Sequence, residues 1–237
     1  MVKAALVELD DASFEAELIL PPEPKGVVLI AHGSGSSRLS PRNRFVARLL
    51  RERGLGTLLV DTETPDEQRM TAATGKPTID VLEMANRILL ASDWLEGDAH
   101  AAGLPVGYLG AGTGAAAAFR AAAERPNLVR AIVSRGARVE LATEALSRVR
   151  APTLLIVGAR DVPVVHLNRE AMDGLAASVK RLEVVPGARH MFEEPGTLAA
   201  VAMHAANWFI KHLRGTDSAD LSRNRGWPAV AVVQDSL

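Results

Sequence analysis

Apolar runs of strand length alternate with segments of helical period along most of the chain. The run GVVLIAHG at 26–33 is apolar without alternation, which is typical of a strand buried on both faces. The segment PRNRFVARLLRERG at 41–54 has helical periodicity, and the same order recurs as far as GTLAAVAMHAANWFIKHL at 196–213. Parallel strands need such crossovers, so the chain is predicted to be an α/β protein: a mostly parallel sheet of about eight strands with helices on both faces.

No internal repeat or linker divides the chain, and we expect one domain over 1–214 followed by a tail over 215–237. Two runs at 4–9 and 14–20 predict an antiparallel hairpin at one edge of the sheet. The stretch 62–78 is too polar and too interrupted for a long helix, so we expect a loop with a short helical turn. It is also too short for a cap domain. In the tail, WPAVAVVQ is apolar enough to pack on the domain or on a second subunit.

Composition excludes several classes of function. The 27 basic and 28 acidic residues leave a net charge of -1, which predicts neither nucleic-acid binding nor attachment to an anionic membrane. The lack of cysteine excludes disulfides and thiolate zinc sites, and the six histidines show no metal-binding spacing, so no metal or cofactor is expected. No apolar run reaches the ~20 residues of a membrane span, and no signal-peptide pattern opens the chain, so we expect a cytoplasmic protein. The expected partner is a small molecule or a second copy in a homodimer.

The stretch GYLGAGTGAAAAFRAAA at 107–123 fits two motifs. Gly110, Gly112 and Ala115 match the turn that binds a dinucleotide pyrophosphate. Gly110, Gly112 and Gly114 match a nucleophile elbow, G-x-S-x-G, in which glycine replaces the serine. In the first interpretation, Arg135 at the end of the next strand could hold an NADP 2'-phosphate, so an NADP-binding protein stays open as an alternative.

Two later segments favour the elbow. In α/β-hydrolases the nucleophile is followed along the chain by an acid and then by a histidine. The segment LLIVGARD places Asp161 just after one predicted strand, and LEVVPGARH places His190 just after the next. The carboxyl ends of parallel strands lie at one edge of the sheet, where such folds bind ligands.

The segment AHGSGSS at 31–37 predicts an oxyanion loop. Its small residues let backbone N–H groups point into a site, as in the H-G-G-G-type loops of esterases. The N–H of Ser34 or Gly35 is the expected first oxyanion donor, and the N–H of Thr113 is the second.

Taken together, these segments resemble α/β-hydrolases of the dienelactone hydrolase group over about 210 residues. The resemblance implies hydrolysis of a small ester or lactone, with Asp161 as the acid, His190 as the base and position 112 as the nucleophile. The one serious departure from the pattern is Gly112 itself. The matching segments are HGSGSSR (32–38), SPRN (40–43), GAGTGAAAA (110–118), SRG (134–136) and GARHMFEEP (187–195).

Glycine at position 112 removes the covalent step, because there is no hydroxyl to form an acyl-enzyme. Three explanations are open: the glycine was introduced to inactivate the site, the protein is a natural non-catalytic binder of a small molecule, or His190 acts as a general base on water or on a substrate proton. Arg38 beside the oxyanion loop and Arg135 after a strand are candidate substrate-binding residues, and either would favour an anionic substrate.

Overall fold

A single eight-stranded sheet forms the centre of the molecule. The computed structural model describes residues 1–8 and 13–213, so the tail at 215–237 lies outside the described residues. The strand order is β1-β2-β4-β3-β5-β6-β7-β8. The strands are β1 Val2–Glu8, β2 Ser13–Ile19, β3 Val27–Ala31, β4 Gly56–Val60, β5 Val106–Ala111, β6 Val129–Arg135, β7 Thr153–Gly158 and β8 Lys180–Val185.

The strand directions confirm the predicted α/β class. Strands β1 and β2 form the expected antiparallel hairpin at one edge, β2 also runs antiparallel to β4, and all remaining neighbours are parallel. Strand β3 lies between β4 and β5, as its uninterrupted apolar sequence predicts. The strand order differs from the 3-2-1-4-5-6 order of the classical dinucleotide-binding fold.

Helices cover both faces of the sheet and enclose two cores. Alternate residues of β3 point to opposite faces. Val27 and Leu29 belong to one core, which also contains residues of the helices at 81–97, 113–124 and 162–174. Val28 and Ile30 belong to the other, which contains residues of the helices at 41–52 and 197–212. Helix α4 is rich in alanine and deeply buried, so it lies close against the centre of the sheet. The helices are α1 Pro41–Glu52, α2 Pro65–Thr74, α3 Val81–Gly97, α4 Thr113–Glu124, α5 Thr143–Leu146, α6 Val162–Gly174 and α7 Thr197–His212, with a 3₁₀ turn at Val139–Ala142.

The stretch 62–78 contains a regular helix, α2, where only a short turn was expected. Its N-terminus is a capping box, in which Thr64 accepts from the N–H of Glu67 and the Glu67 carboxylate accepts from the N–H of Thr64. Gly75 ends the helix in a left-handed conformation. The T-x-x-E spacing of Thr64 and Glu67 indicates the start of a helix. The polarity of the segment favours a loop, and the expectation of a loop followed from that polarity. None of the helices in the described part combines the length and apolar character that a membrane span requires.

Candidate active site

The turn between β5 and α4 has the backbone of a nucleophile elbow. Gly112 has φ of 56° and ψ of −121°. This backbone conformation forms a sharp strand-to-helix turn, and residues that carry a side chain rarely adopt it. A Cβ built on Gly110 would lie 2.3 Å from the Cα of Ala115, and one on Gly114 would lie 2.3 Å from the His32 carbonyl oxygen. At Gly112, by contrast, no atom of the described residues lies within 4 Å of such a Cβ. The flanking glycines are therefore required by packing, whereas position 112 opens into free space.

His190 and Asp161 come together beside this turn. Nδ1 of His190 lies 2.6 Å from Oδ2 of Asp161. Asp161 also occupies the N-cap position of α6, but in the described structure its side chain makes no capping hydrogen bond. The carboxylate is thus committed to the histidine, where it fixes the imidazole tautomer with the proton on Nδ1 and leaves Nε2 free to accept a proton.

The oxyanion loop packs against the elbow, but its predicted donors are already occupied. The N–H of Ser34 donates to the Thr113 hydroxyl over 2.9 Å, and the N–H of Gly35 donates to the buried Glu63 carboxylate over 3.2 Å. The N–H of Thr113 lies in the first turn of α4, where helix amides lack an intrahelical acceptor. The expected pair of donors is therefore not formed in this conformation, because the N–H groups of Ser34 and Gly35 are engaged elsewhere. The N–H of Thr113 donates to no acceptor among the described residues.

Behind the loop, Asp61 joins His32 and Arg38. His32 Nε2 lies 3.1 Å from one Asp61 oxygen, which also accepts from the Arg38 N–H, and the Arg38 guanidinium lies 2.7 Å from the other oxygen. Burial favours a higher pKa for Asp61, but the hydrogen bonds from His32 and Arg38 outweigh it and lower the pKa below its ordinary value.

This placement corrects the expectation for Arg38. Its guanidinium pairs with Asp61 and with Glu15, and it does not line the cavity beside Gly112. Two carboxylates already compensate its charge, so Arg38 holds the loop in place and is no longer a candidate for binding substrate.

A cavity of about 300 Å³ joins the elbow, the loop and the histidine. Arg135 lines it as expected, and its Nη2 donates to Asn43 Oδ1 over 3.1 Å. Burial lowers the pKa of Arg135 to about 10, helped by nearby Arg42, so the guanidinium is still a cation at neutral pH. The cavity is lined by His32, Gly33, Ser34, Ser36, Ser40, Arg42, Asn43, Pro77, Ala111, Gly112, Thr113, Arg135, Arg138, His190 and Met191.

Several residues of the site were not identified from the sequence. Asn43 belongs to the SPRN segment, but this motif by itself indicates no role for the side chain. Asp61 directly follows β4, at the carboxyl edge of the sheet where such folds bind ligands, so its position along the chain indicates a site residue. Arg138 and Pro77 reach the cavity from connecting segments whose paths no sequence pattern predicts.

Comparison with known proteins shows the family and the fold. The model of the dienelactone hydrolase family matches residues 14–212. The crystal structure of dienelactone hydrolase from Anabaena variabilis is 48% identical, with a TM-score of 0.86 over 90% of this chain and 99% of that one. Est1E from Butyrivibrio proteoclasticus shares the fold at 16% identity, with a TM-score of 0.74 over 88% of this chain and 98% of that one.

Similarity also extends to a longer protein. A Mycobacterium tuberculosis protein described as a "putative phosphoribosyl transferase" is 50% identical over 198 residues, which is 84% of this chain. The same description and identity hold for the protein of a second strain. The chain spans 44% of the length of these curated relatives.

Proposed function

Because the chain belongs to the dienelactone hydrolase family, we propose that it hydrolyses a small ester or lactone in the cavity between Gly112 and His190. Water, activated by His190, replaces the missing serine as the nucleophile. The observation that carries the proposal is the His190–Asp161 pair at 2.6 Å beside a turn that retains elbow geometry and opens into free space.

In the proposed reaction, His190 Nε2 takes a proton from a water molecule near Gly112, and the resulting hydroxide attacks the substrate carbonyl carbon. Asp161 stabilises the imidazolium that forms. The N–H of Thr113, at the positive end of α4, donates to the oxyanion. When the tetrahedral intermediate collapses, the C–O bond to the alcohol breaks, and the alkoxide takes the proton back from His190. A lactone gives a single product that carries both acid and alcohol.

A non-catalytic binder is the second candidate function. It is favoured by the internal hydrogen bonds of Ser34 and Gly35, which leave the oxyanion site with one available donor. The two functions differ in what they require of His190: a hydrolase needs it as a base, whereas a binder keeps its affinity without it.

The description of the mycobacterial relatives is not transferred to this chain. The family model accounts for residues 14–212, and the chain corresponds to less than half of those proteins. We therefore assign their named activity to no residue of this chain.

The test compares the wild-type chain with Gly112→Ser and Gly112→Ala on a nitrophenyl acetate ester. We expect slow wild-type hydrolysis that His190→Ala abolishes, with no acyl adduct in the intact-protein mass spectrum. Gly112→Ser should raise the rate by several decades, towards the ~10⁶ attributed to such a serine, and should show an adduct. Gly112→Ala introduces the same Cβ without a nucleophile and should gain nothing.

Two results would contradict the proposal. Wild-type turnover that survives His190→Ala would exclude general-base activation by this histidine. A folded Gly112→Ser variant without any gain would favour the binder.

On a native substrate, serine would crowd the space that the proposed water needs, so the native reaction should slow even as the model ester is hydrolysed faster.

A further inference from the structure

The cavity beside Gly112 is strongly cationic. Arg42, Arg135 and Arg138 line it, and no aspartate or glutamate is among the described residues that do. Arg42 pairs with Glu193 at 2.9 Å, and Arg138 pairs with Glu140, both outside the lining. Arg135 differs from these two, because it forms no ion pair with any described residue.

The backbone of Arg135 is hydrogen-bonded to the elbow. Its Cα pairs with that of Ala111 on the neighbouring strand, and its carbonyl oxygen accepts from the N–H of Gly112 over 3.2 Å. Neighbouring strands lie about 4.8 Å apart. A group bound at the Arg135 side chain is therefore close to the reacting position.

The surroundings of the Arg135 side chain leave its charge uncompensated. Nη2 donates to the neutral side chain of Asn43, while Nη1 is shielded from solvent and has no acceptor within residues 1–8 and 13–213. Asn43 is itself buried, on α1. The Arg135 side chain is partly buried, and its Nη1 is fully shielded from solvent. Charged groups that are shielded from solvent are ordinarily paired with an opposite charge, so the missing partner of this guanidinium needs an explanation.

A purely structural role does not account for the charge. The hydrogen bond to Asn43 Oδ1 links β6 to α1, but this link needs only an N–H donor. The neutral side chain of a glutamine at position 135 could supply that donor. A cation without a partner lowers the stability of the folded chain, and such groups are typical of binding sites in which the ligand supplies the compensating charge.

We propose that Arg135 binds the anionic group, a carboxylate or a phosphate, of a small ligand in the cavity beside Gly112. The inference rests on the cavity being the ligand site proposed above. The anion supplies the missing charge, and a small reorientation of the guanidinium lets Nη1 donate to it. The ligand's reacting carbonyl then lies a few bonds from its anionic group, within reach of both His190 and the Thr113 N–H.

The first experiment measures anion binding without turnover. Acetate and inorganic phosphate are titrated separately into the wild-type chain, Arg135→Met and Arg148→Met, by calorimetry and by thermal unfolding. Arg148 is an exposed arginine paired with Glu124, so its variant changes the net charge equally. We expect Arg135→Met to weaken binding at least about tenfold, the scale of a charge-assisted hydrogen bond, and Arg148→Met to leave it unchanged.

The second readout is stability in buffer free of both anions. Arg135→Met should be at least as stable as the wild type, because it removes a partly buried charge that no described carboxylate compensates. Arg135→Gln can still donate to Asn43, and it should bind the anions as weakly as Arg135→Met does. It replaces Arg135→Met in the experiment if that variant does not fold. The anion that protects the wild type identifies the ligand as a carboxylate or a phosphate.

Equal binding by the wild type and a folded Arg135 variant, or no binding of either anion by the wild type, would overturn the anion site. Loss of stability in both Arg135 variants would also overturn it and assign the residue a structural role. None of these measurements depends on ester hydrolysis. A chain that binds anions but fails the Gly112→Ser test would contradict the proposed reaction alone.

Discussion

Nδ1 of His190 lies 2.6 Å from Oδ2 of Asp161, although the two residues follow different strands, β8 and β7. This contact is present although position 112, where a serine hydrolase has its nucleophile, is glycine. Since the Asp161 carboxylate makes no cap bond within the described structure, its hydrogen bonding is directed to the imidazole. The proposed acid and base therefore lie in contact although position 112 carries no serine.

Asp161→Asn should therefore reduce activity through His190. In the Gly112→Ser background we expect hydrolysis of the model ester to fall by about 10⁴, because an amide favours the wrong imidazole tautomer. The measurement is kcat, with circular dichroism to check the fold. Asp173→Asn, an exposed change in the same helix, is the matched control and should keep full activity. A similar fall in both variants would show that the Asp161 effect is not specific.

The elbow glycines should differ sharply in their tolerance of a methyl group. Gly114→Ala places a Cβ 2.3 Å from the His32 carbonyl oxygen, so we expect a loss of about 3 kcal/mol in the free energy of unfolding. Gly112→Ala meets no described atom within 4 Å and should cost only about 1 kcal/mol, from its positive φ. Urea denaturation of the two variants tests the difference, and equal costs would contradict the packing that we describe.

Gly136→Ala should disturb the base while leaving the elbow in place. The new Cβ would lie 3.3 Å from His190 Cε1 and 3.4 Å from Nδ1, at a residue with φ of 56°. Contacts this close require the imidazole to move by a few tenths of an ångström. Because a misplacement of about 1 Å costs roughly 10²-fold, the smaller shift should cost about tenfold. We expect kcat of Gly112→Ser to fall on that scale when Gly136→Ala is added, with a smaller change in KM. An unchanged kcat in a folded double variant would mean that the imidazole tolerates the contact.

Acid should weaken the support of the oxyanion loop through Asp61. Its pKa is lower in the folded chain than in the unfolded one, so the folded state binds fewer protons. The resulting stability is fully present above the unfolded pKa of about 3.9 and is lost as pH falls through the folded pKa. Asp61→Asn should be less stable than the wild type by about 2 kcal/mol at neutral pH.

The difference between the wild type and Asp61→Asn should narrow as the pH is lowered from about 4, when the wild-type carboxylate becomes protonated. Urea denaturation over this pH range measures it. Asp173→Asn should run parallel to the wild type throughout. A constant difference between Asp61→Asn and the wild type would show that the charge of Asp61 does not support the loop.

Local sequence patterns predicted most of the fold. The apolar run in β3 and the periodic helices follow from backbone geometry and solvent exclusion, which act over a few residues at a time. The hairpin and the parallel strands could be predicted for the same reason. Helix α2 is the exception, because its two local signals disagree: the capping box of Thr64 and Glu67 indicates a helix start, whereas the polarity of the segment indicates a loop.

The positions of the candidate site residues could be predicted where they depend on the order of strands along the chain. Glycine at 112, Asp161 and His190 each follow a strand, and parallel strands bring their carboxyl ends to one edge. The donor pair of the oxyanion loop was not predictable, because Ser34 and Gly35 find Thr113 and Glu63 as acceptors only after folding.

The sequence by itself determined the class of fold, the elbow and the order of the candidate acid and base, since these depend on short-range pattern and strand direction. Only the tertiary structure decided between the two arginines. Arg38 meets two carboxylates, while Arg135 reaches the cavity without one. The charge around a side chain depends on residues far away in the sequence, which are brought near it by packing alone.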